Sequence, residues 1–170
     1  VLEQVQEPTF SPDGSKIGFA KANNLYIFDI ASGKTTQVTS DGKKNSIING
    51  ITDWVYEEEF AFVRAYDWSA DSKKLAYIRF DETQVPEFSM NVFKKDLYPT
   101  VETFKYPKAG EKNALVSLHI YDVASNAAKT VNLSNYKDFY IARMKWTNDA
   151  NVLSAQVLNR HQDNLDLLFI

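Results

Sequence analysis

Phe10-Ser11-Pro12-Asp13-Gly14-Ser15-Lys16-Ile17-Gly18-Phe19-Ala20 is the stretch whose reading decides the fold. Its middle is a tight turn, in which Pro12 presets φ and Gly14 accepts a positive φ. A short strand, Gln6-Glu7-Pro8-Thr9-Phe10, leads into the turn, and Lys16-Ile17-Gly18-Phe19-Ala20 leaves it with the alternation of a half-buried strand. Asn23-Asn24 then turns into Leu25-Tyr26-Ile27-Phe28-Asp29-Ile30, and Ala31-Ser32-Gly33-Lys34 turns into Thr35-Thr36-Gln37-Val38-Thr39. Residues 1–40 therefore read as four short antiparallel strands, a sheet the size of one propeller blade.

The unit recurs. Ala65-Tyr66-Asp67-Trp68-Ser69-Ala70-Asp71-Ser72-Lys73-Lys74-Leu75-Ala76-Tyr77-Ile78 copies its first half, and Leu118 through Asn126 copies Leu25 through Gly33. A third copy opens at Met144-Lys145-Trp146-Thr147-Asn148-Asp149 and reaches its third strand at Asn164-Leu165-Asp166-Leu167-Leu168-Phe169-Ile170. The anchoring aromatics Phe10, Trp68 and Trp146 lie 58 and 78 residues apart, more than the ~40–50 of a plain blade. The surplus falls in two insertions, 41–64 and 81–114. The expected fold class is all-β: a partial β-propeller of about three four-stranded antiparallel blades. These are a blade at 1–40, a blade at 65–133 that carries the second insertion, and a truncated blade at 134–170.

Composition sets the outer bounds. The chain has 170 residues, 44% hydrophobic, 24% charged and 14% aromatic, with a net charge of −3. That balance argues against a nucleic-acid or anionic-membrane partner. No cysteine is present, which excludes disulfides and thiolate metal sites. No apolar run approaches the ~18 residues of a membrane span. Val1 is not an initiator Met and the chain stops on an apolar strand, so it reads as a piece of a longer protein.

The first insertion carries Asp53-Trp54-Val55-Tyr56-Glu57-Glu58-Glu59-Phe60. Thr52 or Asp53 is a plausible N-cap for a short helix over 54–62. Three carboxylates among side chains that favour burial repel one another; the run reads either as a solvated surface turn or as a cluster held at the edge of apolar packing, where a cation meets it. A third reading, a calcium loop, is disfavoured by the pattern, since it would alternate its oxygens around a glycine; no metal or cofactor is expected. The second insertion is rich in aromatics and prolines and too apolar for a free loop. It reads as a projecting β-arm that packs on another surface.

With these stretches in view, Asn49-Gly50-Ile51-Thr52-Asp53-Trp54-Val55-Tyr56-Glu57-Glu58-Glu59 resembles the double-glutamate motif of the dipeptidyl peptidase IV family of prolyl exopeptidases. Phe80-Asp81-Glu82-Thr83-Gln84-Val85-Pro86 and Tyr106-Pro107-Lys108-Ala109-Gly110 extend the resemblance in order. Family members join an eight-bladed propeller to a C-terminal α/β-hydrolase domain, and this chain looks like roughly blades three to five.

The resemblance implies a substrate-gating, amine-binding segment of a serine exopeptidase that releases X-Pro or X-Ala dipeptides. Glu58 and Glu59 would bind the peptide's free α-ammonium, with Trp54 and Tyr56 as supporting packing. The arm would take part in a homodimer through Phe88, Val92, Phe93, Tyr98, Phe104 and Tyr106. The catalytic residues would lie in the hydrolase domain of the same protein, leaving none here and this piece inactive by itself. A bacterial periplasmic or cell-surface location is inferred from the family. The competing reading is a non-catalytic peptide- or protein-binding propeller. His119 alternates with apolar residues and reads as structural, and His161 reads as a solvated turn residue. Arg64, Arg79, Arg143 and Arg160 do not occupy the family's carbonyl-binding arginine position, which lies upstream of the motif. Asn132-Leu133-Ser134 matches a glycosylation sequon by pattern.

Overall fold

The computed structural model describes residues 4–170. The first sheet consists of β1 (Gln6–Phe10), β2 (Lys16–Lys21), β3 (Asn24–Asp29) and β4 (Thr35–Gln37), antiparallel and in chain order. The turn predicted at Ser11 closes as expected. Ser11 N donates to the Lys16 carbonyl, the Ser11 hydroxyl donates to the Asp13 carboxylate, and Gly14 has φ +71°. The repeat survives at this level of detail: Ser69 N donates to Lys74 O, the Ser69 hydroxyl donates to Asp71, and Ser72 takes the left-handed place of Gly14 at φ +62°. Asp29 and Asp122 likewise each accept from the amide and hydroxyl of a serine three residues on, Ser32 and Ser125.

The second sheet is built on β7 (Lys74–Asp81), which is buried on both faces along most of its length. It pairs on one side with β10 (Leu115–Asp122), which pairs in turn with β11 (Ala127–Thr130). Its other side is shared end to end by two short strands. Here β6 (Tyr66–Trp68) lies opposite Leu75–Tyr77, and β5 (Ile47–Asn49) opposite Arg79–Asp81. Residues 41–64 are therefore not simply an excursion between blades, because β5 belongs to the second sheet. The side chains of Ile47 and Asn49 are buried there, and the β7 ladder continues past β6 onto β5. The expectation of about three four-stranded sheets is also corrected. After the first sheet come a five-stranded sheet, a three-stranded sheet of β12 (Phe139–Trp146), β13 (Leu153–Asn159) and β14 (Leu165–Phe169), and a two-stranded arm.

The three larger sheets stack through two cores. Leu25 and Ile27 of the first meet Tyr66, Trp68, Leu75, Tyr77 and Tyr121 of the second. Ala76, Ile78, Phe80 and Leu118 of the second meet Tyr140, Ile141, Trp146, Leu153 and Ala155 of the third. Polar locks bridge each junction: the Tyr66 hydroxyl shares its one proton between the Gly18 and Glu7 carbonyls, both within hydrogen-bond reach, and the Asp67 carboxylate accepts from Trp146 N at 2.8 Å. Trp68 and Trp146 are buried, whereas Phe10, which has no sheet before it among the described residues, is 63% exposed.

Candidate functional site

The acidic stretch sits on a loop that leaves and rejoins one edge. Gly50 N donates to Ile78 O, Ala65 N to Gly50 O, and Ile78 N to Ala65 O, so residues 51–64 form a closed excursion. Thr52 ties the neck, its amide to Val63 O and its hydroxyl to Phe62 O. Gly50 is required there: φ is +76°, and a Cβ would stand 2.8 Å from Leu25 Cδ1.

Within the loop lies α1 (Trp54–Phe60). Asp53 is the N-cap, its carboxylate accepting from Tyr56 N at 3.0 Å. The helix stops two residues short of the predicted 62, because Ala61 turns left-handed (φ +52°, ψ +46°) and the Thr52 bonds draw the chain back to the sheet.

One side of α1 is fixed in the core. Tyr56 is 2% exposed and sits among the rings of Phe60, Phe80, Phe62 and Tyr140 at centroid distances of 5.0, 4.8, 5.9 and 6.0 Å. Its hydroxyl accepts from Ile141 N at 2.8 Å, tying the helix to β12 of the third sheet. Burial pushes the Tyr56 phenol well above its usual range, so it remains protonated. Trp54 behaves differently from Tyr56: it is 39% exposed and packs on Tyr106, centroids 4.3 Å apart.

Glu57, Glu58 and Glu59 are all exposed. Among the described residues their carboxylates have no hydrogen-bond or ion-pair partner. The last turn of α1 contains no basic residue. Glu58 and Glu59 therefore stand at the negative end of the helix dipole, beside each other and uncompensated, an arrangement that a cation relieves. The glutamates are consecutive, about 100° apart around the axis, so both reach a group lying between those directions. The chemistry available is the acceptance of charge-assisted hydrogen bonds.

Two further carboxylates lie at the helix root: Asp53, read from the sequence only as a cap, and Glu82, which the sequence reading did not single out as a site residue. Asp53 and Glu82 are buried and face a polar cleft of about 290 Å³, also lined by Trp54, Glu57, Lys44 and Lys105. Burial raises Asp53 to about 6. Burial and then the Asp53 charge raise Glu82 to about 7, with Lys105 opposing. Both groups hold protons in the fold that the unfolded chain releases above about pH 4. Their contribution to stability is therefore full below that pH and is lost as pH rises through 6 to 7. Glu82→Gln removes the Glu82 share of this dependence and leaves that of Asp53, whose shift comes from its own burial. In urea titrations the wild type is expected to lose about 1–3 kcal/mol relative to the variant between pH 5 and pH 8; parallel curves count against the buried pair. The clue in the sequence was Glu82 standing between Phe80 and Val85, both core residues.

The arm consists of β8 (Glu87–Val92) and β9 (Thr100–Lys105), paired from Glu87↔Lys105 to Val92↔Thr100. Phe88, Phe104 and Tyr106 share one face and form an aromatic cluster at its base, with centroids 5.7–6.3 Å apart. Val92 is half-buried, while Phe93 and Tyr98 at the tip are exposed, Tyr98 by 79%. The six residues thus divide into an aromatic cluster at the base, in which Phe88 is still 41% exposed, and a tip where Val92 is half-buried and Phe93 and Tyr98 are open.

The remaining predicted positions are structural or solvated. His119 stacks on Tyr77 at 5.0 Å and bonds Ser117 and Thr130; burial and then Arg79 lower its pKa. His161 is exposed. Arg79 pairs with Asp41 at 2.8 Å, Arg64 donates to the Thr9 hydroxyl, Arg143 lies over the Phe62 ring, and Arg160 donates to the Glu111 carbonyl. Among the described residues, no group of three or more His, Cys, Asp and Glu residues is arranged to hold a metal, and no helix is long and apolar enough to cross a membrane.

Comparison with known proteins adds an independent line. The family model described as the dipeptidyl peptidase IV (DPP IV) N-terminal region matches residues 2–170. The probable dipeptidyl-aminopeptidase B of Talaromyces stipitatus is 37% identical over 175 residues, covering 94% of this chain and 19% of that protein. The crystal structure of Porphyromonas gingivalis dipeptidyl peptidase 4 aligns with a TM-score of 0.96 at 45% identity, over 100% of this chain and 24% of that one. A putative dipeptidyl aminopeptidase IV from Bacteroides ovatus shares the fold, with a TM-score of 0.79 at 23% identity over 97% of this chain and 22% of that one. The chain spans about a fifth to a quarter of the length of these proteins.

Proposed function

The chain belongs to the dipeptidyl peptidase IV N-terminal region family, and from that premise we propose that it supplies the amine anchor of a serine dipeptidyl peptidase. In this reading the three stacked sheets are successive propeller blades, and the protein's catalytic residues lie in a hydrolase domain outside this chain. Glu58 and Glu59 bind the free α-ammonium of a peptide substrate and gate entry by requiring it. Fixed at a set distance from the nucleophile, they admit only two residues ahead of the scissile bond, so X-Pro or X-Ala dipeptides are released. The arm tip, with Phe93 and Tyr98 open, meets a second copy of the protein.

The observation that carries the proposal is the pair of exposed glutamates on a helix clamped by buried Tyr56, without a counter-cation of their own. An α-ammonium has a pKa near 8 and three donors, so at neutral pH it is the complement of two carboxylates. A substrate lacking it leaves both carboxylates desolvated and unpaired.

The test is hydrolysis by the full-length protein of an X-Pro chromogenic amide and of its N-acetyl derivative. The free-amine form is expected to be cleaved, and acetylation to lower kcat/KM by about 100-fold or more, the worth of two charged hydrogen bonds. Equal rates on the two substrates exclude an amine anchor.

A further inference from the structure

The arm and the glutamate helix are separate insertions in sequence, yet the root of the arm meets both the chain entering β5 and the first residue of the helix. Glu82 N, at the start of the arm's root, donates to Ser46 O at 2.8 Å. Asn45 Nδ2 donates to the Thr103 carbonyl of β9 at 3.2 Å. Tyr106, the residue after β9, packs on Trp54, the first residue of α1, at 4.3 Å. Behind it Phe88 and Phe104 brace the Tyr106 ring at 5.7 and 6.3 Å, and Tyr106 N donates to Pro86 O, locking the base of the arm.

We propose that Tyr106 is a positioning residue for the amine anchor: through its ring on Trp54, the root of the arm sets the tilt of α1 and hence where Glu58 and Glu59 stand. The geometry gives it that leverage. Tyr56, with Val55 and Phe60, pins the helix to the core beneath it, but these anchors all lie on its core side. Trp54 is part-exposed on another side, and Tyr106 is the aromatic ring that meets it. Without the Tyr106 ring the helix keeps its N-cap and its core anchors but loses the lateral stop. Charged hydrogen bonds to an ammonium are sensitive to displacements of about 1 Å. The loss should appear in binding, shared by ground state and transition state, because the reacting bond is elsewhere.

This inference rests on the amine-anchor reading, and the experiment separates the two. Tyr106→Ala and Tyr106→Phe are made in the full-length protein and assayed on the free-amine X-Pro substrate and its N-acetyl derivative. Amide hydrogen exchange is measured over residues 54–60 of the same proteins. Tyr106→Ala is expected to raise KM for the free-amine substrate roughly 10-fold, with kcat within about 2-fold. It should leave the N-acetyl substrate unchanged and speed exchange across α1. Tyr106→Phe keeps the ring and is expected to match wild type on every measure. If wild type fails to discriminate the two substrates, the amine anchor is wrong, and faster α1 exchange in Tyr106→Ala alone still supports the positioning contact. Unchanged exchange overturns the inference, as does an equal loss on both substrates.

Discussion

Replacing Glu58 and Glu59 together by Gln in the full-length protein is expected to lower kcat/KM for a free-amine X-Pro substrate by about 10²–10⁴-fold. Each charge-assisted hydrogen bond contributes roughly 1.5–3 kcal/mol, and about 1.4 kcal/mol corresponds to a factor of ten. The side chains are exposed and make no hydrogen bond or ion pair among the described residues, so the amides fit without disturbing the fold. Removing two charges from the carboxyl end of α1 should even raise stability slightly, since they oppose the helix dipole. A lower melting temperature together with lower activity would mean the glutamates support the fold. The decisive comparison is a cycle with the N-acetyl substrate. Acetylation and the double substitution delete the same interaction from opposite sides, so their effects should not add. If the variant still loses a further 100-fold on acetylation, the ammonium binds elsewhere.

Much of this arrangement was legible because its units are local. Ser11-Pro12-Asp13-Gly14 and Ser69-Ala70-Asp71-Ser72 close with the same hydrogen bonds, so a pattern of turns a few residues long was enough to find the repeats. Asp53 as a cap and the helix after it were legible for the same reason. What escaped was long-range. Ile47-Ile48-Asn49 is too short to declare itself a strand; it becomes one because β7 extends past β6 and offers Arg79–Asp81 an unpaired edge. The helix end at Phe60 follows from the Thr52 bonds, which no propensity predicts. Glu82 looked like any charged residue entering a loop, and only its burial in the fold, with the Asp53 charge beside it, raises its pKa. The contact of Tyr106 with Trp54 joins positions 52 residues apart, and aromatic content by itself does not say which rings meet.

Tyr56→Ala is expected to cost about 3–5 kcal/mol of folding stability, the range for emptying a buried aromatic site. The ring touches helix, second sheet and third sheet at once, through Phe60, Phe80 and Tyr140. Its neighbours on β7 and β12 are held by their own ladders and cannot collapse into the space, so the cavity stays open. The Ile141 amide also loses its partner. Tyr56→Phe separates the two contributions: it keeps the ring, leaves the amide unpaired in a buried place, and should cost about 1–3 kcal/mol. Urea midpoints of the three proteins order the contributions. The hydrophobic account requires Ala to be clearly worse than Phe; equal losses would assign the whole effect to the hydroxyl and make the ring incidental. Either variant that folds should also bind a free-amine substrate less well, because the only side chain joining α1 to the third sheet by a hydrogen bond among the described residues has been cut. That coupling gives a physical reason for Tyr56 to stand two residues before Glu58. The glutamates need a helix that stays in place when a charged ligand pulls on it, and the helix is too short to be stable on its own.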